Sequence, residues 1–141
     1  MREVPANILD TFQNKYPHQD LKLIPHHLGE EGSDGAIYRF RDRDVLLKIC
    51  NLGAEDMRKN GQRFGRRLDF LSFLFARDVP VVESIPSLAG RLFERVDESG
   101  SFWVAYALKY IRGKAPSPKA WDPEFIEAWA ATICSLHPAT Q

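Results

Sequence analysis

Two cysteines in 141 residues, Cys50 and Cys134, with no CxxC pair and no spaced set, exclude a disulfide framework and a cysteine zinc site. They read as two buried thiols in a reducing cytoplasm. Net charge is missing too: Lys plus Arg and Asp plus Glu number 19 each, so no overall field draws the chain to nucleic acid or to an anionic membrane. No apolar run approaches the ~20 residues that cross a bilayer. The opening MREVPANILDTF has neither the apolar block nor the small-residue cleavage site of a secretory signal. A cytoplasmic chain is expected, with no membrane and no nucleic acid among its partners. The four histidines are scattered, and His26 and His27, as neighbours on a strand, point to opposite faces and share no ion.

What is present is globular: 44% hydrophobic and 11% aromatic content at this length suits one compact unit with a real core. Ile8, Leu9, Phe12 and Tyr16 recur at helical spacing behind Pro5, so residues 5–16 read as a short amphipathic helix. Alternation then marks three short strands over 21–28, 36–41 and 45–50, the last two joined by the polar turn Arg41-Asp42-Arg43-Asp44. Helical character is weak over 54–59 and strong over 63–77, where Phe64, Leu68, Leu71, Leu74 and Phe75 form a stripe ended by Asp78-Val79-Pro80. Strands over 91–97 and 101–111 flank the turn Glu98-Ser99-Gly100, and a Gly/Pro/Ser connector over 113–118 leads to a last helix capped by Asp122. The fold class is α+β: a five-stranded antiparallel sheet with one long packing helix, an N-terminal helix and a C-terminal linker helix. Arg58, Lys59, Arg63, Arg66 and Arg67 read as a solvated helix face, given zero net charge and no aromatic platform for stacking bases, with RNA or phosphate-polymer binding as the lesser alternative.

The most telling stretch is a glycine-punctuated turn between two strand-like runs, followed by a strand carrying one lysine. Glycines let the backbone approach an anion closely and leave amide N–H groups to meet it. The alternatives are an ordinary polar hairpin loop, and an edge-strand lysine that blocks aggregation. Strand phase alone does not say which face of Lys48 lines a cleft.

In order and spacing, GSDGAIYRF (32–40), VLLKI (45–49), LDFLSFLFARDVPV (68–81), ALKYIRGK (107–114) and ATICSLH (131–137) resemble the amino-terminal lobe of the protein-kinase-like fold. More narrowly, they resemble the aminoglycoside phosphotransferase, choline kinase and homoserine kinase group. The resemblance implies an ATP site in which Gly32, Ser33, Asp34 and Gly35 cover the phosphates and Lys48 pairs with the α- and β-phosphates. Lys109, Tyr110 and Ile111 become the hinge against adenine, with Leu108 at the back of the pocket. Residues 1–112 become the nucleotide-binding lobe, and 113–141 the linker and first helix of a second lobe. That second lobe would carry the catalytic loop and the ligands of Mg2+. No Asp in the chain has Asn five positions later, so no catalytic or metal residue is assigned here.

One departure lies on the long helix, where Arg67 occupies the position of the acidic partner of the strand lysine. Asp69, Glu55 and Asp56 are the other acids within reach in sequence. The implied activity of the complete enzyme is phosphoryl transfer from ATP to a hydroxyl of an aminoglycoside, amino alcohol or homoserine-like acceptor, this lobe not being catalytic alone. The competing expectation is a non-catalytic interaction module derived from such a lobe, with a second copy or a partner chain covering the Phe125 and Trp129 face of the last helix.

Overall fold

A computed structural model describes residues 4–18, 20, 22–25, 35–113 and 123–139, of which 54–60, 63 and 136–139 are described by backbone alone. The elements run α1 (Ala6–Gln13), β1 (Leu23–Pro25), β2 (Gly35–Phe40), β3 (Val45–Leu52), α2 (Ala54–Phe75), β4 (Ser84–Ile85), β5 (Glu94–Glu98), β6 (Ser101–Lys109) and α3 (Pro123–Ala139). Every strand pairing is antiparallel. The sheet runs β1-β2-β3-β6-β4, and β5 also pairs β6. Since β3 occupies one edge of β6 along its whole length, β4 and β5 share the other edge.

The α+β architecture is as the patterning indicates, with one more strand than the five expected. The addition is β4, whose two residues are too few to show an alternation. The first strand shrinks to three residues; Lys22 of its expected run is not in the strand, and Leu21 and 26–28 lie outside the described residues. The weak and strong helical stretches form one continuous helix of 22 residues.

Local chemistry explains the joins. Ser99 and Gly100 both take positive φ, 49° and 80°, which is the two-residue hairpin geometry that matches strand twist. Helix α2 ends where Asp78 turns left-handed at φ 58°, with Val79 N–H donating to Leu74 O at 3.2 Å and Asp78 N–H to Phe75 O at 3.1 Å. Leu74 and Val79 are both buried, so the same turn closes an apolar contact.

One face of the sheet carries the main core. Ala36, Tyr38 and Phe40 of β2, Leu47 and Ile49 of β3, and Trp103, Ala105 and Ala107 of β6 alternate inwards to meet Ile8, Phe12 and Tyr16 of the α1 segment. Eight residues make no stable helix in water, so α1 exists by docking here. Each large apolar side chain removed from water contributes about 1.5–3 kcal/mol. The Tyr16 hydroxyl donates to Ala105 O at 2.8 Å, and burial next to the Glu94 charge pushes its pKa up.

A charged cluster ties the loop before β5 to the turn that follows α1. The Glu94 carboxylate is 3% exposed and accepts from Ser87 Oγ at 2.7 Å and Arg91 Nε at 3.0 Å, with Lys15 Nζ at 3.6 Å. Burial alone would raise its pKa, but the hydrogen bonds from Ser87 and Arg91 and the charges of Arg91 and Lys15 prevail and hold it below the usual value.

Helix α3 carries Ile126, Trp129 and Ile133 at spacings of three and four, with exposures of 47%, 55% and 45%. Cys134 is exposed and Cys50 half-buried, which corrects the expectation of two buried thiols. Cys134 stands at an exposed position of α3, so its helical pattern did not mean a core position. Among the described residues no helix is long and apolar enough to cross a membrane.

Candidate functional site

Phase decides the orientation of Lys48. Leu47 and Ile49 are fully buried on the α1 side, so Leu46, Lys48 and Cys50 stand on the opposite face, the one covered by α2. Lys48 is half-buried there, between Ile37 of β2 and Tyr106 of β6 in register, while Leu46 stands opposite Leu108. Antiparallel partners share a face, so Ile37, Leu46, Lys48, Tyr106 and Leu108 form one patch. Phe64 of α2 meets Tyr106 edge-on, with ring centroids 5.2 Å apart, and Phe93 at 5.4 Å. The Tyr106 phenol is pushed up to about 12, by burial first and then by Cys50, with the Arg67 charge opposing.

Gly35 opens β2 opposite Cys50, two residues from Lys48 on β3. A Cβ there would lie 2.8 Å from Ile49 O and 2.9 Å from Cys50 Sγ, so glycine is required by the close approach of the strands. Gly32, Ser33 and Asp34 lie outside the described residues.

The expected hinge begins as β6 ends. Lys109 N–H donates to Glu83 O at 2.9 Å, and its ammonium lies 3.3 Å from the Glu83 carboxylate. Tyr110 N–H donates to Asp44 O at 2.8 Å, and the Arg39 guanidinium sits 4.9 Å above the Tyr110 ring. Asp44 Oδ1 also accepts from Arg112 at 3.1 Å and from Arg39 at 3.3 Å. Ile111, beyond these anchors, is 68% exposed. Sequence reasoning saw only a polar turn at Asp44. Its grip on Tyr110 and Arg112 spans more than sixty residues of chain and leaves no local signal.

Helix phase separates the acids and cations of α2. Gly65 stands against Phe93, 3.3 Å from where its Cβ would be, and Asp69 lines two adjoining cavities of about 570 and 530 Å3 with Gly65, Phe93 and Arg95. Asp69 thus belongs to the β5 side and is no partner for Lys48. Arg67 lies about 200° round the helix from Asp69, at roughly 100° per residue. The side chains of Glu55 and Asp56 lie outside those described.

No protein-family model and no curated protein matches the chain. Among solved structures, the amicoumacin kinase hAmiN in complex with AMP-PNP, Ca2+ and Ami superposes with a TM-score of 0.74 at 15% identity, over 98% of this chain and 40% of its own. The fold is kinase-like. A microcompartment-associated aminopropanol kinase also superposes, with a TM-score of 0.65 at 17% identity over 95% of this chain and 40% of its own. The kinase-like chain therefore spans about 40% of the length of each enzyme, a lobe-sized share. Within this kinase-like lobe, Gly35, Lys48 and Leu108 come together on or beside the α2 face, while Lys109, Tyr110 and Ile111 follow at its edge.

Proposed function

We propose that this chain is the ATP-binding lobe of a small-molecule phosphotransferase, with residues 1–112 holding the nucleotide and 113–141 leading into a second lobe. The observation that carries the reading is the half-buried Lys48 on the α2 face, flanked by the Leu46 and Leu108 pair that leads to the strand end at Lys109. Its ammonium takes the α- and β-phosphates, and the backbone of Gly32, Ser33, Asp34 and Gly35 covers them. Ile37, Leu46 and Leu108 offer adenine an apolar surface. The N–H groups of Lys109 and Tyr110 already donate to Glu83 and Asp44. Adenine recognition therefore falls to the Ile111 N–H and the Lys109 carbonyl.

Among the described residues no three His, Cys, Asp or Glu side chains gather closely enough to hold a cation. By the kinase resemblance Mg2+ is assigned to the second lobe, and no step here runs through it. Acceptor binding, of a hydroxyl on an aminoglycoside, amino alcohol or homoserine-like molecule, belongs to that lobe as well. This one binds and orients.

Calorimetric titration with ATP tests the assignment. A charge-assisted contact is worth about 1.5–3 kcal/mol, so Lys48→Ala is expected to weaken binding roughly ten- to a hundredfold. Equal affinity in the variant removes Lys48 from the site.

A second reading, a non-catalytic interaction module, is favoured by the exposed Ile126, Trp129 and Ile133 stripe. A second copy or a partner chain would cover it. Light scattering after size exclusion separates the two: a dimer abolished by Trp129→Ala supports the module, and a monomer at high concentration rejects self-association.

A further inference from the structure

Lys48 is not the only cation on the α2 side of the sheet. Helix α2 lies over β3, β4 and β6, and its Gly65 and Asp69 flank faces β5 through Phe93 and Arg95. β5 pairs with the edge of β6 away from β3. The opposite flank of α2 therefore overhangs β3. Phe64 touches Tyr106, and Arg67 follows three residues later, rotated from Phe64 by about 60° away from the Gly65 flank. Tyr106 is the register partner of Lys48. The Arg67 charge is felt at the Tyr106 phenol, in keeping with that placement. Arg67 is exposed, and among the described residues neither it nor Lys48 has a carboxylate partner.

We infer that Arg67 is a second phosphate-binding cation of the Lys48 cleft, so that two positive charges grip the anionic tail of the nucleotide where a lysine–carboxylate pair would present none. The inference rests on the nucleotide reading above and adds a specificity residue to it. A guanidinium presents paired donors that match phosphate oxygens, which a point-charge ammonium does not. Two like charges on one cleft repel when it is empty, and an anion between them relieves that repulsion. The lobe is thereby biased towards ligands rich in phosphate.

The 141-residue chain is titrated with ATP and with adenosine, as wild type and as Arg67→Ala, Arg67→Lys and Arg67→Glu. Arg67→Ala is expected to weaken ATP roughly tenfold or more while adenosine changes less than about twofold. Arg67→Lys keeps part of the ATP affinity, and Arg67→Glu loses more than Arg67→Ala. An Arg67→Glu variant that binds ATP as tightly as wild type, or tighter, overturns the inference, because an acid there would have restored an ion pair with Lys48. So does an equal loss for ATP and adenosine, which marks a structural role. Wild type that binds neither ligand refutes the nucleotide reading itself, and the Arg67 assignment falls with it.

Discussion

Replacing Gly35 by alanine tests how tightly β2 and β3 close at the mouth of the candidate site. The new Cβ would stand 2.8 Å from Ile49 O and 2.9 Å from Cys50 Sγ. Ordinary contacts begin near 3.4 Å, so the strands must part by roughly 0.6 Å unless a neighbour yields. The thiol can rotate away, but the carbonyl is held by the sheet. Overpacking of this kind costs about 1–3 kcal/mol. Alanine returns about 0.4–1 kcal/mol by stiffening the unfolded chain, leaving a net loss of about 0.6–2 kcal/mol. For a chain of this size that lowers Tm by roughly 2–8 °C, readable by calorimetry or circular dichroism. Adding Cys50→Ala removes only the sulfur, so most of the loss caused by Gly35→Ala persists in the Cys50→Ala background, where it reports the carbonyl clash. A Gly35→Ala chain melting within about 1 °C of wild type, or full recovery with Cys50→Ala, refutes the reasoning.

Other outcomes follow from the core and its charges. Phe12, with no exposed surface, anchors α1 on the sheet, and Phe12→Ala is expected to cost about 3–5 kcal/mol in urea unfolding; a loss below about 1 kcal/mol would show that α1 does not dock. Glu94 has a folded pKa below the usual carboxylate value of 4.5, so its stabilisation is complete above that value and fades as pH falls through the folded pKa. Glu94→Gln is therefore expected to be less stable at neutral pH and to lose less stability between neutral and acid pH than wild type, as followed by denaturant midpoints across pH. Parallel curves would remove the carboxylate from acid unfolding.

Most of the fold is written in short-range patterns. β2 and β3 alternate cleanly, and Asp78-Val79-Pro80 marks the end of α2, because burial on one face and turn chemistry act over a few residues. β4 left no such trace: two residues become a strand only because Leu108 and Ala107 lie alongside. The orientation of Lys48 was equally illegible, since strand phase gives two faces and the docking of Phe12 and Tyr16 chooses which is core. The same holds for Asp69, whose assignment to the β5 side depends on where α2 settles. Tyr110 is anchored by Asp44 across a separation that no window of sequence samples.

The sealing of the α1 side has a corollary. Because Ile8, Phe12 and Tyr16 secure the sheet from behind, exposed residues on the α2 side can be exchanged with little effect on whether the chain folds. Arg67, exposed on α2, is a position of that kind. Side chains on that exposed flank can thus be altered one at a time while melting behaviour stays nearly constant.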